Sequence, residues 1–128
     1  MNTEEIYYQP RDYKKIELWK NVSEKDWNDP LWQQKNSIKT VEQLSKVITL
    51  TEYQKKEIER TVSTLISQGK EPLRITPYYA SLMQEDPFHP IMPKGEKPEK
   101  RLDPIFWQSV PTPANLLFPD TGIEGAMA

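Results

Sequence analysis

A chain of 128 residues has room for one domain, but with 36% hydrophobic and 28% charged residues it is poor in the apolar side chains that build a core. A formal charge of -2 offers no basic face to nucleic-acid phosphates, and the longest apolar runs fall far short of the ~20 residues that cross a bilayer. The opening MNTEEIYYQP lacks the basic and apolar regions of a leader peptide, so the expectation is a cytoplasmic protein without nucleic-acid or membrane partners. Zero cysteine excludes disulfides, thiolate nucleophiles and cysteine-held zinc or iron–sulfur sites. The single histidine, His89, sits between prolines in DPFHP and reads as an ordinary exposed or hydrogen-bonded side chain.

In chain order, RDYKKIELWKNV places Tyr13, Ile16, Trp19 and Lys20 at helical spacing, with Asp12 as cap. Ser23 restarts the pattern in SEKDWNDPLWQQKNSI. There Trp27, Leu31 and Ile38 are expected along one helix face, with Trp32 widening it. Pro30 either kinks this helix or begins a new one capped by Asp29; both alternatives put Trp27 and Leu31 on one side. TVEQLSKVI opens with Thr40 and Gln43 in a capping-box arrangement and lines up Val41, Leu44, Val47 and Ile48. TEYQKKEIERTVSTLI repeats the device at Thr51 and Gln54 and aligns Ile58, Val62, Leu65 and Ile66, before Gly69 ends the helix.

Beyond residue 70 the character changes, because ten of the twelve prolines lie there. Only TPYYASLM, with Thr76 as cap and Pro77 in the first position, still reads as helix. Ordering a residue costs roughly 1.5 kcal/mol and burying a large apolar side chain returns roughly 1.5–3 kcal/mol, so a proline-rich arm this polar needs an external surface. The fold class expected is mainly α: four to five short helices followed by an extended proline-rich arm, without a substantial sheet. Residues 1–70 form a helical N-terminal cap region, and 71–128 the short helix and the arm. Trp19, Trp27, Leu31, Trp32, Tyr78 and Tyr79 are the candidates for an apolar contact surface that meets something outside this chain.

The run KKIELWKNVSEKDWNDPLWQQKNSIKTVEQLSKVITLTEYQKKEI, followed by ITPYYASLM, resembles the N-terminal region of lysine 2,3-aminomutases and their glutamate 2,3-aminomutase relatives. There an ELW-K-V…WNDW-WQ segment leads through TV--L-K-I-LT--E to ITPYY--L. The likeness runs from Lys14 to Met83, with Pro30 where an aromatic is usual. DPIFWQSVPT, at 103–112, is similar to the family's CPIR-QSVPT, with Phe106 in place of arginine and HPIMPKGEKPEKRL as an insertion ahead of it.

The resemblance implies a radical enzyme that moves an amino group between neighbouring carbons of an amino acid. Such enzymes use S-adenosylmethionine on a [4Fe-4S] cluster held by C-x3-C-x2-C in a partial α/β barrel, and pyridoxal phosphate held by a lysine. Helices ahead of the barrel wrap it and contribute to subunit contacts. None of those motifs occurs here, and GIEGAMA does not match the family's SPVPGLTHRYPDR. The resemblance therefore implies an N-terminal portion without catalytic, cofactor-binding or metal residues of its own. Its partners would be the catalytic barrel, in cis or in trans, and a second subunit. Lys14, Tyr78 and His89 gain no catalytic role from it. A self-standing helical interaction module and the accessory half of a split aminomutase remain as alternatives.

Overall fold

The computed structural model describes residues 10–89, 103–113 and 116. Two 3-10 turns, Tyr13–Lys15 and Glu17–Trp19, lead into α1 (Glu24–Trp27), α2 (Pro30–Lys35), α3 (Val41–Leu44), α4 (Glu52–Ser67), α5 (Pro77–Ser81) and α6 (Pro104–Ser109). Strand pairing among the described residues is one antiparallel bridge, in which Ile38 and Ile75 exchange N–H···O bonds of 2.6 and 3.0 Å. Over the described residues the chain is mainly α, built of mostly short helices without a sheet, as its sequence predicts.

Local chemistry sets the helix starts. The side chains of Ser23, Asp29, Thr40, Thr51 and Thr76 accept backbone N–H groups of α1 to α5 at 3.0–3.3 Å, satisfying donors that the first turn leaves orphaned. At Thr51 the capping box is complete, since Gln54 Oε1 accepts the Thr51 N–H at 2.9 Å. At Thr40 the return bond slips by one residue, and Gln43 Oε1 accepts from Lys39 N at 2.9 Å. Gly69 stops α4 with φ of 80°. The Gly69 and Lys70 N–H groups donate back to Ile66 and Leu65, using carbonyls left free by the last turn.

Four features depart from the sequence expectations. The lead-in is not an α-helix: Tyr13, Ile16 and Trp19 are three residues apart, and three residues per turn is the repeat of the 3-10 conformation it adopts. Between Trp27 and Pro30 the helix ends and restarts on Asp29. This resets the helical phase, so Trp27 packs against the core while Leu31 is 75% exposed. The expected common side for Trp27 and Leu31 is thus overturned. On α4 the apolar stripe is buried at Ile58 and Val62 but has run out by Ile66, which is 56% exposed.

The fourth departure is α6, which occupies part of the stretch expected to run extended. Asp103 Oδ1 accepts the Ile105 N–H at 3.1 Å and Pro104 takes the first helical position. Ile105, Phe106 and Val110 are buried in the same cluster as Ile16, Trp19, Leu44, Ile58 and Met83. Phe88 meets the edge of Phe106 with ring centroids 5.3 Å apart, and Asp103 N donates to Pro87 O at 2.9 Å. Among the described residues of the arm, Asp103, Ile105, Phe106 and Val110 of DPIFWQSV are buried, and the other helices supply the surface. The remainder of the arm, 90–102, 114–115 and 117–128, lies outside the described residues.

Candidate functional site

The tryptophans of DWNDPLWQQ form one aromatic cluster with the lead-in. Tyr13 stacks on Trp27 at 4.1 Å with ring planes 10° apart, and Trp19 and Trp32 approach Trp27 at 5.4 and 6.1 Å in tilted geometry. Spacings of this kind add attraction between ring edges and faces to the area buried. The Tyr13 hydroxyl donates to Val22 O at 3.2 Å, so its polar end is satisfied as well.

This placement sorts the six surface candidates. Trp19 is enclosed by its own chain at 3% exposure and presents no contact surface, which corrects the expectation for that residue. Trp27, Trp32 and Tyr79 are half-buried against the core. Leu31 and Tyr78 are outward-facing, Tyr78 at 48% exposure. Trp107 on α6, 58% exposed, joins them as an apolar surface residue that the sequence reading missed. Its signal was available in DPIFWQSVPT, the second stretch with a family likeness.

Gln33, also missed, ties three helices together. Its Nε2 donates to Trp27 O at 2.7 Å, and its Oε1 accepts the Tyr78 N–H at 2.8 Å. A buried amide with both ends engaged fixes α1, α2 and the start of α5 relative to one another. It thereby sets where Trp27, Trp32 and Tyr78 stand. No described buried side-chain nitrogen or oxygen lacks a partner.

Among the described residues, one half-buried and one fully buried charge with shifted pKa values, Arg11 and Asp103, gather around the stretch after α5. Arg11 Nε and an Arg11 Nη donate to the Met83 and Val47 carbonyls at 2.8 and 2.7 Å, and Arg11 N donates to Ser81 O at 2.9 Å. Burial pushes the guanidinium below its usual value, while the negative charges of Glu85 and Asp103 oppose that shift. Asp103 is fully enclosed, and its Oδ2 accepts the Gln84 N–H at 2.7 Å. Burial raises its pKa above the usual carboxylate range, against the amides of Gln84 and Ile105 and the charge of Arg11.

A shallow open groove of about 490 Å³ lies between residues 71–76 and the end of α6, with Arg74, Thr76, Tyr79 and Gln108 among its lining. Arg74 pairs with Glu71 at 3.5 Å on its rim. His89 is exposed, with Nδ1 3.4 Å from Asp86 Oδ2, and Lys14 pairs with Glu24 at 3.6 Å on the surface. The described residues contain no group of three His, Asp or Glu side chains placed to hold a metal ion. None of their helices is long and apolar enough to cross a membrane.

Comparison with known proteins finds L-lysine 2,3-aminomutase of Bacillus subtilis 47% identical over 88 residues, covering 68% of this chain and 17% of that protein. L-lysine 2,3-aminomutase of Clostridium subterminale is 38% identical over 103 residues, covering 80% of this chain and 20% of that enzyme. Glutamate 2,3-aminomutase of Clostridioides difficile is 38% identical over 92 residues, covering 72% and 17%. No protein-family model and no solved structure matches the chain. Over most of its length the chain is therefore a homologue of the lysine and glutamate 2,3-aminomutases, spanning about a fifth of the length of those relatives.

Proposed function

We propose that this chain is the non-catalytic, N-terminal helical portion of a lysine 2,3-aminomutase-like enzyme, and that it packs against the enzyme's catalytic barrel and contributes to subunit contact. The observation that carries the reading is the 47% identity over 88 residues to a protein of which those residues make up 17%. Leu31, Tyr78 and Trp107 supply apolar area for such contacts, and Gln33 positions the first two. The barrel would be joined in cis or in trans, in a cytoplasmic enzyme.

The [4Fe-4S] cluster that the aminomutase likeness implies does not fit the residues present. An iron–sulfur cluster needs cysteine thiolates and the sequence has none. No step of amino-group migration is assigned to this chain. Reconstituted anaerobically with iron, sulfide, S-adenosylmethionine and pyridoxal phosphate, the purified chain is expected to develop no cluster absorbance and form no β-amino acid; either signal overturns the assignment.

The deciding experiment replaces the matching stretch of the Bacillus subtilis enzyme with this chain's counterpart. The chimaera is expected to assemble, load its cofactors and retain aminomutase activity, and Leu31→Asp with Tyr78→Asp in that chimaera is expected to weaken assembly. A chimaera that folds but fails to assemble refutes the packing role. A second reading, a self-standing helical interaction module, draws on one observation: Trp19 and Phe106 are enclosed by this chain's own residues. On that reading the chain folds alone, and the two aspartate substitutions leave the chimaera's assembly untouched.

A further inference from the structure

Two oppositely charged side chains from distant parts of the sequence close on the same short stretch. Arg11, ahead of the first 3-10 turn, engages Ser81, Met83 and Val47. Asp103, at the start of α6, engages Gln84 through its side chain and Pro87 through its backbone N–H. The two do not meet in a direct ion pair. Each instead binds backbone of the 81–87 stretch, with its charge within electrostatic reach of the other. A fully enclosed carboxylate held by two amide donors depends on nearby positive charge, and a guanidinium bound to neutral carbonyls depends on nearby negative charge.

We infer that Arg11 and Asp103 form a linked double clasp, in which seating of the N-terminal segment and docking of α6 reinforce one another across residues 81–87. The linkage is reciprocal: displacing either end weakens the hold on the other. Arg11 touches no residue of α6 in any hydrogen bond or ion pair, so an effect of its charge on α6 is a readout that a purely local role would not move. Both are positioning residues, and the inference does not depend on the aminomutase reading above.

The test is amide hydrogen exchange on the full chain. Docked α6 is reported by the N–H groups of Trp107 and Val110, which donate to Asp103 O and Phe106 O; the seated N-terminal segment is reported by Lys15 and Ile16. Arg11→Met is expected to accelerate exchange at Trp107 and Val110 about tenfold, while the middle of α4 stays protected. Asp103→Asn is expected to accelerate Lys15 and Ile16, and the double variant should fall short of the product of the single effects. Arg11→Lys, which keeps the charge and gives up the fixed fork of donors, should retain most of the α6 protection. It decides the matter if Arg11→Met unfolds the whole chain. Unchanged α6 exchange in Arg11→Met, multiplicative effects in the double variant, or equal loss of α6 protection in Arg11→Lys and Arg11→Met would each overturn the linkage.

Discussion

Replacing Phe106 by alanine removes a ring with no exposed surface from the junction between α6 and the helical core. Deleting a buried phenylalanine costs about 3–5 kcal/mol, a range that includes the cavity left behind. The edge-to-face contact with Phe88, centroids 5.3 Å apart, places this site toward the upper half of that range. Domains of this size are held together by about 5–15 kcal/mol, so the substitution removes a large share of the total. With a urea dependence of about 2 kcal/mol per molar, a loss of about 4 kcal/mol moves the midpoint down by about 2 M. The adjoining Trp107→Ala change, on the same helix but 58% exposed, serves as the control and is expected to cost within about 0.5 kcal/mol. Urea titrations followed by far-ultraviolet circular dichroism measure both. If Phe106→Ala leaves the midpoint where it was, or moves it no further than Trp107→Ala does, α6 is not part of the cooperative core and the packing argument fails.

Gln33→Ala should cost about 1 kcal/mol in thermal unfolding, because the part-buried Tyr78 N–H and Trp27 carbonyl lose their shared partner; a neutral result would mean that water replaces the amide at no cost. Gly69→Ala is expected to destabilise by about 1–2 kcal/mol through backbone conformation alone, since φ is 80° and an added Cβ meets nothing within 4 Å; a stabilised variant would contradict the left-handed stop. Asp103 gives stability a pH dependence of definite sign. Its folded-state pKa is raised, so its contribution is fully present below the ordinary carboxylate value and is lost as pH rises through the folded value. Subtracting the pH–stability profile of Asp103→Asn from that of the parent chain isolates this contribution, and a difference that grows in the parent's favour with rising pH across that window would show the sign to be wrong.

Helix starts and the stop at Gly69 were legible because their chemistry is local. Ser23, Asp29, Thr40, Thr51 and Thr76 each bond to an amide two or three residues away, and Gly69 supplies a backbone conformation without help from any distant group. The family likeness was legible for a related reason, since the order and spacing of ELW, WND, WQQ and ITPYY are linear properties of the chain. The surface was only half legible. Leu31 and Tyr78, two of the six contact candidates, are exposed, while Trp19 is enclosed and the exposed Trp107 lies outside that set, because apolar character marks a residue for burial and for contact alike. The relation of Trp27 to Leu31 depended on whether one helix or two ran through NDP. The sequence allows both, but the angle introduced by a restart is set by tertiary contacts such as the Gln33 bridge to Trp27 and Tyr78. The folding of DPIFWQSV onto the core was invisible to average composition. It needs Phe88, Gln84 and Arg11 as neighbours, 18 to 92 positions away along the chain, and only the assembled structure brings them within reach of Asp103 and Phe106.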